Sequence, residues 1–370
     1  MKSVLTAALL AALAAAFPLR ADEPPKDKPK DEKPTAEKQL EEITREYQKA
    51  QQPLIEEFKS AKTEEEKKAV AAKLPKVAVP FAAKAVKLAE NNPKDPVAIH
   101  ALGFALGAGR SERAAELLVE TQSERPEFPR LLIEVADDTE NPAVGKLLKL
   151  AAERGKGKQI QGLATLGLAQ RDATLADSEE DLKKVEALGK EAETLAVKVA
   201  KDFADETGPQ GKLGKAAEDL LFQIRNLSVG KKAPEVVSHD LDDKEVKLSS
   251  LKGKVVILDI WATWCGPCKA MIPHEREMVE NLKDKPFTLI SISADEKKET
   301  LKDFLEKEKM PWTHWWEGQN EKGILKEWGV HFFPTIYVID AKGVIRYKHI
   351  RGKKLEEAVE KLVKEAEGKS

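Results

Sequence analysis

Cysteine is the scarcest reactive residue in this chain: its 370 residues include only two, Cys265 and Cys268. That count excludes a disulfide-stapled scaffold and a four-cysteine zinc cage. An excess of charge of one sign is also missing. Lys and Arg number 62 against 64 Asp and Glu, a formal net charge of −2, which excludes a nucleic-acid binder resting on a broad basic surface. Aromatic residues make up only 5%, yet they include 6 Trp, all beyond residue 260. With 41% hydrophobic and 34% charged residues, the composition is that of a soluble, heavily solvated helical protein rather than a membrane protein. At ~100–200 residues per domain the length suits about two domains.

The one long apolar run is at the N-terminus. Lys2 precedes Val4–Leu19, a run of mainly Ala and Leu interrupted only by Thr6 and Pro18, and small residues offer a cut after Ala21. This reads as a secretory signal over residues 1–21, because the run is short for the ~20 apolar residues of a bilayer span. No cysteine near the cut is available for a lipid anchor. The expected mature chain is exported, periplasmic or in the cell envelope, with no integral membrane segment. Residues 22–36 alternate charges with Pro24, Pro25, Pro29 and Pro34, the composition of a disordered or extended tether.

Residues 37–228 read as helical. Leu40, Ile43, Tyr47, Leu54 and Phe58 recur near helical spacing on either side of an expected break at Pro53, and Leu182, Val185, Ala192, Leu195, Val199 and Phe203 form one apolar stripe. Asn92-Pro93, Asp95-Pro96, Gly107-Ala108-Gly109 and Asn141-Pro142 separate the helices. Ala101-Leu102-Gly103-Phe104-Ala105 resembles Thr165-Leu166-Gly167-Leu168-Ala169, so the half reads as a helical bundle or a short array of helical hairpins. It contains no chemical constellation.

Past Gly230 the pattern changes. Val255–Ile260 and Phe287–Ile292 are short apolar runs of the kind that fill central strands. A helical stretch lies between them and another spans Lys297–Lys309. Thr335–Asp340 and Val344–Ile350 flank Ala341-Lys342-Gly343 as a hairpin, and a helix from Leu355 to about Ala366 closes the chain. The order β-α-β-α-β-β-α over residues 229–370 is that of a thioredoxin-like α/β domain. The expected fold class is therefore an all-helical domain followed by a thioredoxin-like α/β domain.

Trp264-Cys265-Gly266-Pro267-Cys268 follows a strand and opens a helix, the context in which CxxC is a redox motif. At a helix N-terminus the free N–H groups and the positive dipole end stabilise a Cys265 thiolate, expected to be exposed and attacking. Cys268, one turn on and inward, then attacks the mixed disulfide. Pro267 suits a first turn whose N–H has no intrahelical partner. A zinc site lacks two further ligands in register, haem attachment needs His where the chain has Lys269, and an inert disulfide closing so short a loop gains little. Asp259, in mid-strand six residues before Cys265, is costly to bury without a function; burial raises its pKa and prepares it to take the Cys268 proton. Pro334, between Phe333 and Thr335 at the start of an apolar strand, suits a cis peptide.

Gly253-Lys254-Val255-Val256-Ile257-Leu258-Asp259-Ile260-Trp261-Ala262-Thr263-Trp264-Cys265-Gly266-Pro267-Cys268-Lys269, with Pro273 and Phe333-Pro334-Thr335, resembles the TlpA/ResA branch of the redoxin and thioredoxin-like superfamily. So do Gly230-Lys231-Lys232-Ala233-Pro234 and Leu248–Gly253. The resemblance covers about Val229–Lys364. It implies exported bacterial thiol–disulfide oxidoreductases, typically reductants, with Cys265 as nucleophile, Cys268 as resolver, Asp259 as buried acid and Pro334 as cis proline. Trp264, Gly266, Pro267, Phe333 and Thr335 become the expected client-contacting residues, with no metal and no cofactor. One departure stands out: the branch often has Glu three residues past the second cysteine, where this chain has Met271. The acid near the disulfide must then come from Asp259 or from Glu275, seven residues after Cys268, although Glu275 reads more readily as solvated surface. His274 is given no role. On an alternating strand Trp312 and Trp316 share one face and Trp315 takes the other, which reads as core packing.

The expected function is reduction of protein disulfides in an exported compartment. The partners are a disulfide-containing client protein and a membrane-embedded electron donor, since exported space is kept oxidising; nucleic acid is not among them. With no third cysteine, electrons must enter and leave through Cys265. A thiol peroxidase is the second expectation, weakened by Ala262 and Leu258 where a peroxiredoxin-type site has Thr and Pro. The third makes the helical half a partner-binding scaffold with an accessory redox domain.

Overall fold

A computed structural model describes residues 34–368 apart from 180, 210, 319–322 and 331. The expected leader and nearly all of the expected tether lie outside the described residues. Thr35, at the end of that tether, instead caps a helix that opens at Ala36: its hydroxyl accepts the Lys38 N–H at 3.4 Å. The chain divides into two compact units, one made of the described residues up to Glu218 apart from Asp177–Glu179, the other of Asp219 onward together with that short segment.

The first unit is helical. Its helices are Ala36–Ser60, Glu64–Ala71, Leu74–Asn91, Val97–Gly107, Glu112–Leu117, Phe128–Ala136, Pro142–Arg154, Lys158–Ser178 and Leu182–Asp202, and a further helix begins at Leu213. The chain's breakers become caps: the Asn141 side chain accepts the Ala143 N–H at 3.1 Å and donates to the Leu106 carbonyl at 3.0 Å, while Pro142 occupies the first turn. Pro53 is not the expected break, because helix Ala36–Ser60 runs through it. An interior proline costs about 3 kcal/mol, but buried Ile43, Tyr47 and Gln51 hold this helix down, Tyr47 packing on Phe81 and Phe104 with ring centroids 5.8 and 5.4 Å away. Among the described residues no helix is long and apolar enough to cross a membrane.

In the second unit we number the strands β1 Val237–Asp240, β2 Glu245–Lys247, β3 Val255–Trp261, β4 Phe287–Ser293, β5 Thr313–Trp316, β6 Thr335–Ile339 and β7 Ile345–Lys348. The helices are α1 Gly266–Lys269, α2 Ile272–Asn281, α3 Lys298–Lys307, α4 Ile324–Glu327 and α5 Lys353–Ala366. One seven-stranded sheet has the order β2-β1-β5-β4-β3-β6-β7. β3 runs parallel to β4 and antiparallel to β6, and β6–β7 is the hairpin expected around Gly343, whose φ is 82°. The mixed sheet with its helices is the thioredoxin-like arrangement expected for this half. The β1–β2 hairpin, β5 and α4 have no counterpart in the expected order, each of these strands and the helix being no more than four residues long.

β3 is buried at all seven positions and separates two apolar layers. Val256, Leu258 and Ile260 pack with Ile290, Ile292, Trp315, Trp328 and Tyr337. Val255 and Ile257, on the other face, pack with Met278 of α2 and with Leu355, Val359 and Leu362 of α5. Each such side chain contributes about 1.5–3 kcal/mol on full burial, against ~0–1 kcal/mol for an exposed ion pair, so these layers hold the strand that carries Asp259.

Two helical glycines in the first unit provide a test of opposite signs. A Cβ on Gly162 would lie 2.7 Å from Leu213 Cδ1 and 2.9 Å from Phe203 Cβ, whereas one on Gly189 meets nothing within 4 Å. We expect Gly162→Ala to destabilise by about 1–3 kcal/mol and Gly189→Ala to stabilise by about 0.5–1 kcal/mol, measured by urea unfolding followed through loss of helix.

Candidate active site

The chain leaves the buried end of β3 at Trp261 and reaches Cys265, the N-cap of α1. Cys265 Sγ accepts the Cys268 N–H at 3.2 Å, and Pro267 sits in the first turn. The two cysteines form a disulfide with their Cα atoms 5.3 Å apart. The expected exposed sulfur is corrected here. In this disulfide state Cys265 is only 5% exposed and Cys268 4%, both packed with Trp261, Ala262, Ile272 and Leu301.

Open surface lies around the disulfide. Gly266 and Pro267 are exposed, a Cβ on Gly266 would meet nothing within 4 Å, and Trp264 is 67% exposed. Phe333 meets Trp264 edge-on with centroids 5.6 Å apart, and neighbouring Phe332 is also exposed. The Phe333–Pro334 bond is cis. Thr335 is buried, its hydroxyl donating to the Phe332 carbonyl at 2.7 Å, so its side chain holds the loop rather than facing outward. Arg351 Nη2 donates to the Pro334 carbonyl at 2.7 Å.

Asp259 lies on β3 opposite Ser291 of β4 and Ile336 of β6. It is 4% exposed. Burial pushes its carboxyl up from 3.8 to about 7, against the pull of a Ser291 hydroxyl donated at 3.4 Å and of the Arg351 charge. Trp312 Nε1 donates to that Ser291 oxygen at 2.9 Å. Trp312 and Trp316 adjoin the disulfide layer and Trp315 packs in the opposite one, the division of faces expected from alternation. Glu275 is the clear misreading: it is 2% exposed. Ile272, Glu275 and Met278 recur at intervals of three on α2, so Glu275 falls on the stripe facing the sheet. Burial and then the Asp259 charge hold its carboxyl well above the usual range.

Asp295 was missed in the sequence. Its carboxylate accepts the Thr263 hydroxyl at 2.7 Å, the Thr263 N–H at 3.1 Å and the Ser293 hydroxyl at 2.8 Å. It thereby fixes the segment two residues before Cys265. The signal is Ser291-Ile292-Ser293-Ala294-Asp295, where small polar residues alternate at the end of an apolar strand. Among the described residues no group of three or more His, Cys, Asp and Glu side chains is placed to hold a metal ion.

Two predictions follow from these buried acids. Asp295→Ala leaves three donors without their acceptor and destabilises by at least about 1–3 kcal/mol, read as a lower urea midpoint of the oxidised protein. Folded Asp259 keeps its proton to about pH 7, while the unfolded carboxyl releases it near 3.8. The folded state therefore binds more protons between those values, and this contribution to stability falls as pH rises through the window. Asp259→Asn removes it. Relative to wild type the variant gains stability between about pH 4 and pH 7 in urea unfolding; a difference that does not vary with pH contradicts the burial account.

Comparison with known proteins bears on the second unit. The redoxin family profile matches residues 228–364. Thiol-disulfide oxidoreductase ResA of Bacillus thuringiensis subsp. konkukian is 33% identical over 138 residues, covering 37% of this chain and 78% of that protein. ResA of Bacillus cereus matches with the same figures, 33% over 138 residues. A solved thioredoxin domain of a thiol-disulfide oxidoreductase from Bacteroides vulgatus is 32% identical, covers 37% of this chain and 99% of its own, and superposes with a TM-score of 0.36. Identity and coverage together show that the chain belongs to the TlpA/ResA-like thiol-disulfide oxidoreductases, its redoxin domain lying C-terminal to a helical region that these matches do not reach.

Proposed function

We propose that this oxidoreductase acts as an exported reductant of protein disulfides, with Cys265 as nucleophile, Cys268 as resolving thiol and Asp259 as proton acceptor. The observation that carries the reading is Cys265 at the cap of α1, its sulfur turned to the Cys268 N–H. In the reduced protein the same N–H and the dipole end favour a thiolate there. That thiolate attacks one sulfur of a client disulfide; the client S–S bond breaks and its other sulfur leaves as thiolate. The Cys268 S–H then gives its proton to the Asp259 carboxylate, and the sulfur attacks Cys265 Sγ. The Cys265–Cys268 disulfide forms and the client's second sulfur leaves. Two electrons pass to the client, and the enzyme ends in the disulfide state described above.

Trp264, Gly266 and Pro267, open around the disulfide, and half-buried Phe333 supply the client-contacting surface, with the backbone beside Pro334 available for pairing with an extended segment. Thr335 contributes by holding that loop. The leader-like residues 1–21 support export, after which a dithiol donor at the membrane would re-reduce the pair, because exported space is oxidising. Purified, pre-reduced protein should reduce insulin. Cys265→Ser should be inactive, Cys268→Ser should accumulate a mixed disulfide with its client, and Asp259→Asn should slow turnover by ~10²-fold near neutral pH. Full activity in Cys265→Ser overturns the reading.

A further inference from the structure

We propose that Glu275 is a second buried acid of the redox centre, sharing one proton with Asp259, and that Arg351 is the counter-charge tying this carboxyl pair to the loop at Pro334. The proposal rests on the reading of Asp259 as the acceptor for the Cys268 proton, and gives that acceptor a partner.

The placement comes first. On β3, Asp259 falls between Ile257, which packs with Met278 and the α5 side chains, and Trp261, which packs with the disulfide. On α2, Glu275 falls between Met278 of the first cluster and Ile272 of the second. Each acid thus interrupts the same apolar layer at the same point, one from the sheet and one from the helix above it. Both are buried, and each has an oxygen, Asp259 Oδ1 and Glu275 Oε1, with no hydrogen-bond partner among the described residues. Two buried carboxyls in one apolar layer, the charge of Asp259 acting on Glu275, do not both ionise. One proton held between them lets the neutral acid donate to the carboxylate, and the pair titrates as a unit.

The neighbouring charges fit this arrangement. Arg351 is half-buried, gives one nitrogen to the Pro334 carbonyl and leaves Nε buried without a partner among the described residues. Burial pushes the Asp259 carboxyl up and the Arg351 guanidinium down, and in each case the attraction of the other opposes the shift. Ser291 faces Asp259 from β4 but carries no charge. His314 on β5 has Nε2 on the Met310 carbonyl, and burial pushes it down towards the neutral ring. His349, after β7, is lowered to about 3 by burial, Lys348 and Arg351, so it too is neutral. His274 adjoins Glu275 on α2 itself, its Nε2 buried. Glu275 is therefore a positioning residue that acts through Asp259. During resolution the Cys268 proton takes the pair from one proton to two while the sulfur keeps the bonding electrons; re-reduction returns the proton to Cys268.

The test is a carboxyl-carbon NMR titration of the oxidised full-length protein. In wild type the Asp259 signal should move in two linked steps, the upper one coinciding with Glu275. In Glu275→Gln it should collapse to a single step, and Glu275→Leu, which fills the site with an apolar side chain, should do the same if Gln fails to fold. Arg351→Met should raise the lower step by about 1 pH unit. A single independent step for Asp259 in wild type, or an unchanged curve in the Glu275 variant that folds, overturns the proposal. Insulin reduction by Asp259→Asn judges the underlying reading separately: a slow Asp259→Asn enzyme with an uncoupled wild-type titration keeps Asp259 and discards Glu275.

Discussion

A carboxyl group in the middle of a fully buried strand is the constraint around which the redox domain is arranged. In an apolar layer an isolated carboxylate is too costly to persist, so Asp259 meets burial by keeping its proton towards neutrality. That response needs a rigid, dry surrounding. β3 provides it, with strands on both sides and apolar side chains on both faces. The same strand delivers the chain directly to the cysteines, so the fold that perturbs the acid also positions the disulfide on the face Asp259 occupies.

The two cysteines share one apolar layer with Ile272 and Leu301, and the helix is what distinguishes them. Cys265 caps it and borders Trp264, Gly266 and Pro267, all exposed, whereas Cys268 lies inside its first turn. A four-residue helix alone would fix this poorly. Asp295 grips Thr263 through its N–H and its hydroxyl on one side, and the cis bond at Pro334, with Arg351 on its carbonyl, sets the loop on the other. The reactive pair is held by charged and polar groups that are themselves buried or half-buried.

Much of this was legible in the chain. The redox motif, the apolar strand carrying Asp259, the closing hairpin and helix, and the helical first half follow from period, turn residues and cysteine spacing. The failures share a cause: they concern which way a side chain faces when it is charged. Glu275 reads as solvent-facing because acids usually are, yet the spacing of Ile272 and Met278 turns it inward. Met271, where related proteins often carry an acid, sits at the N-cap of that helix, four residues before Glu275, and packs among apolar neighbours. Asp295 and Arg351 escaped notice because their partners, Thr263 and the Pro334 carbonyl, are brought to them only by strand register and loop closure. Pro53 failed in the opposite sense, since local propensity there yields to the packing of Tyr47.

The central claim is that helix cap and buried acid make the two cysteines chemically unequal. The most direct measurement is the pH dependence of alkylation of the reduced protein, resolved by mass spectrometry into Cys265 and Cys268. Cys265 should react first, with half-maximal rate below the ~8.5 of a free cysteine, while Cys268 lags throughout the neutral range. Equal rates at the two sulfurs, or a Cys265 midpoint at or above that of free cysteine, would contradict it.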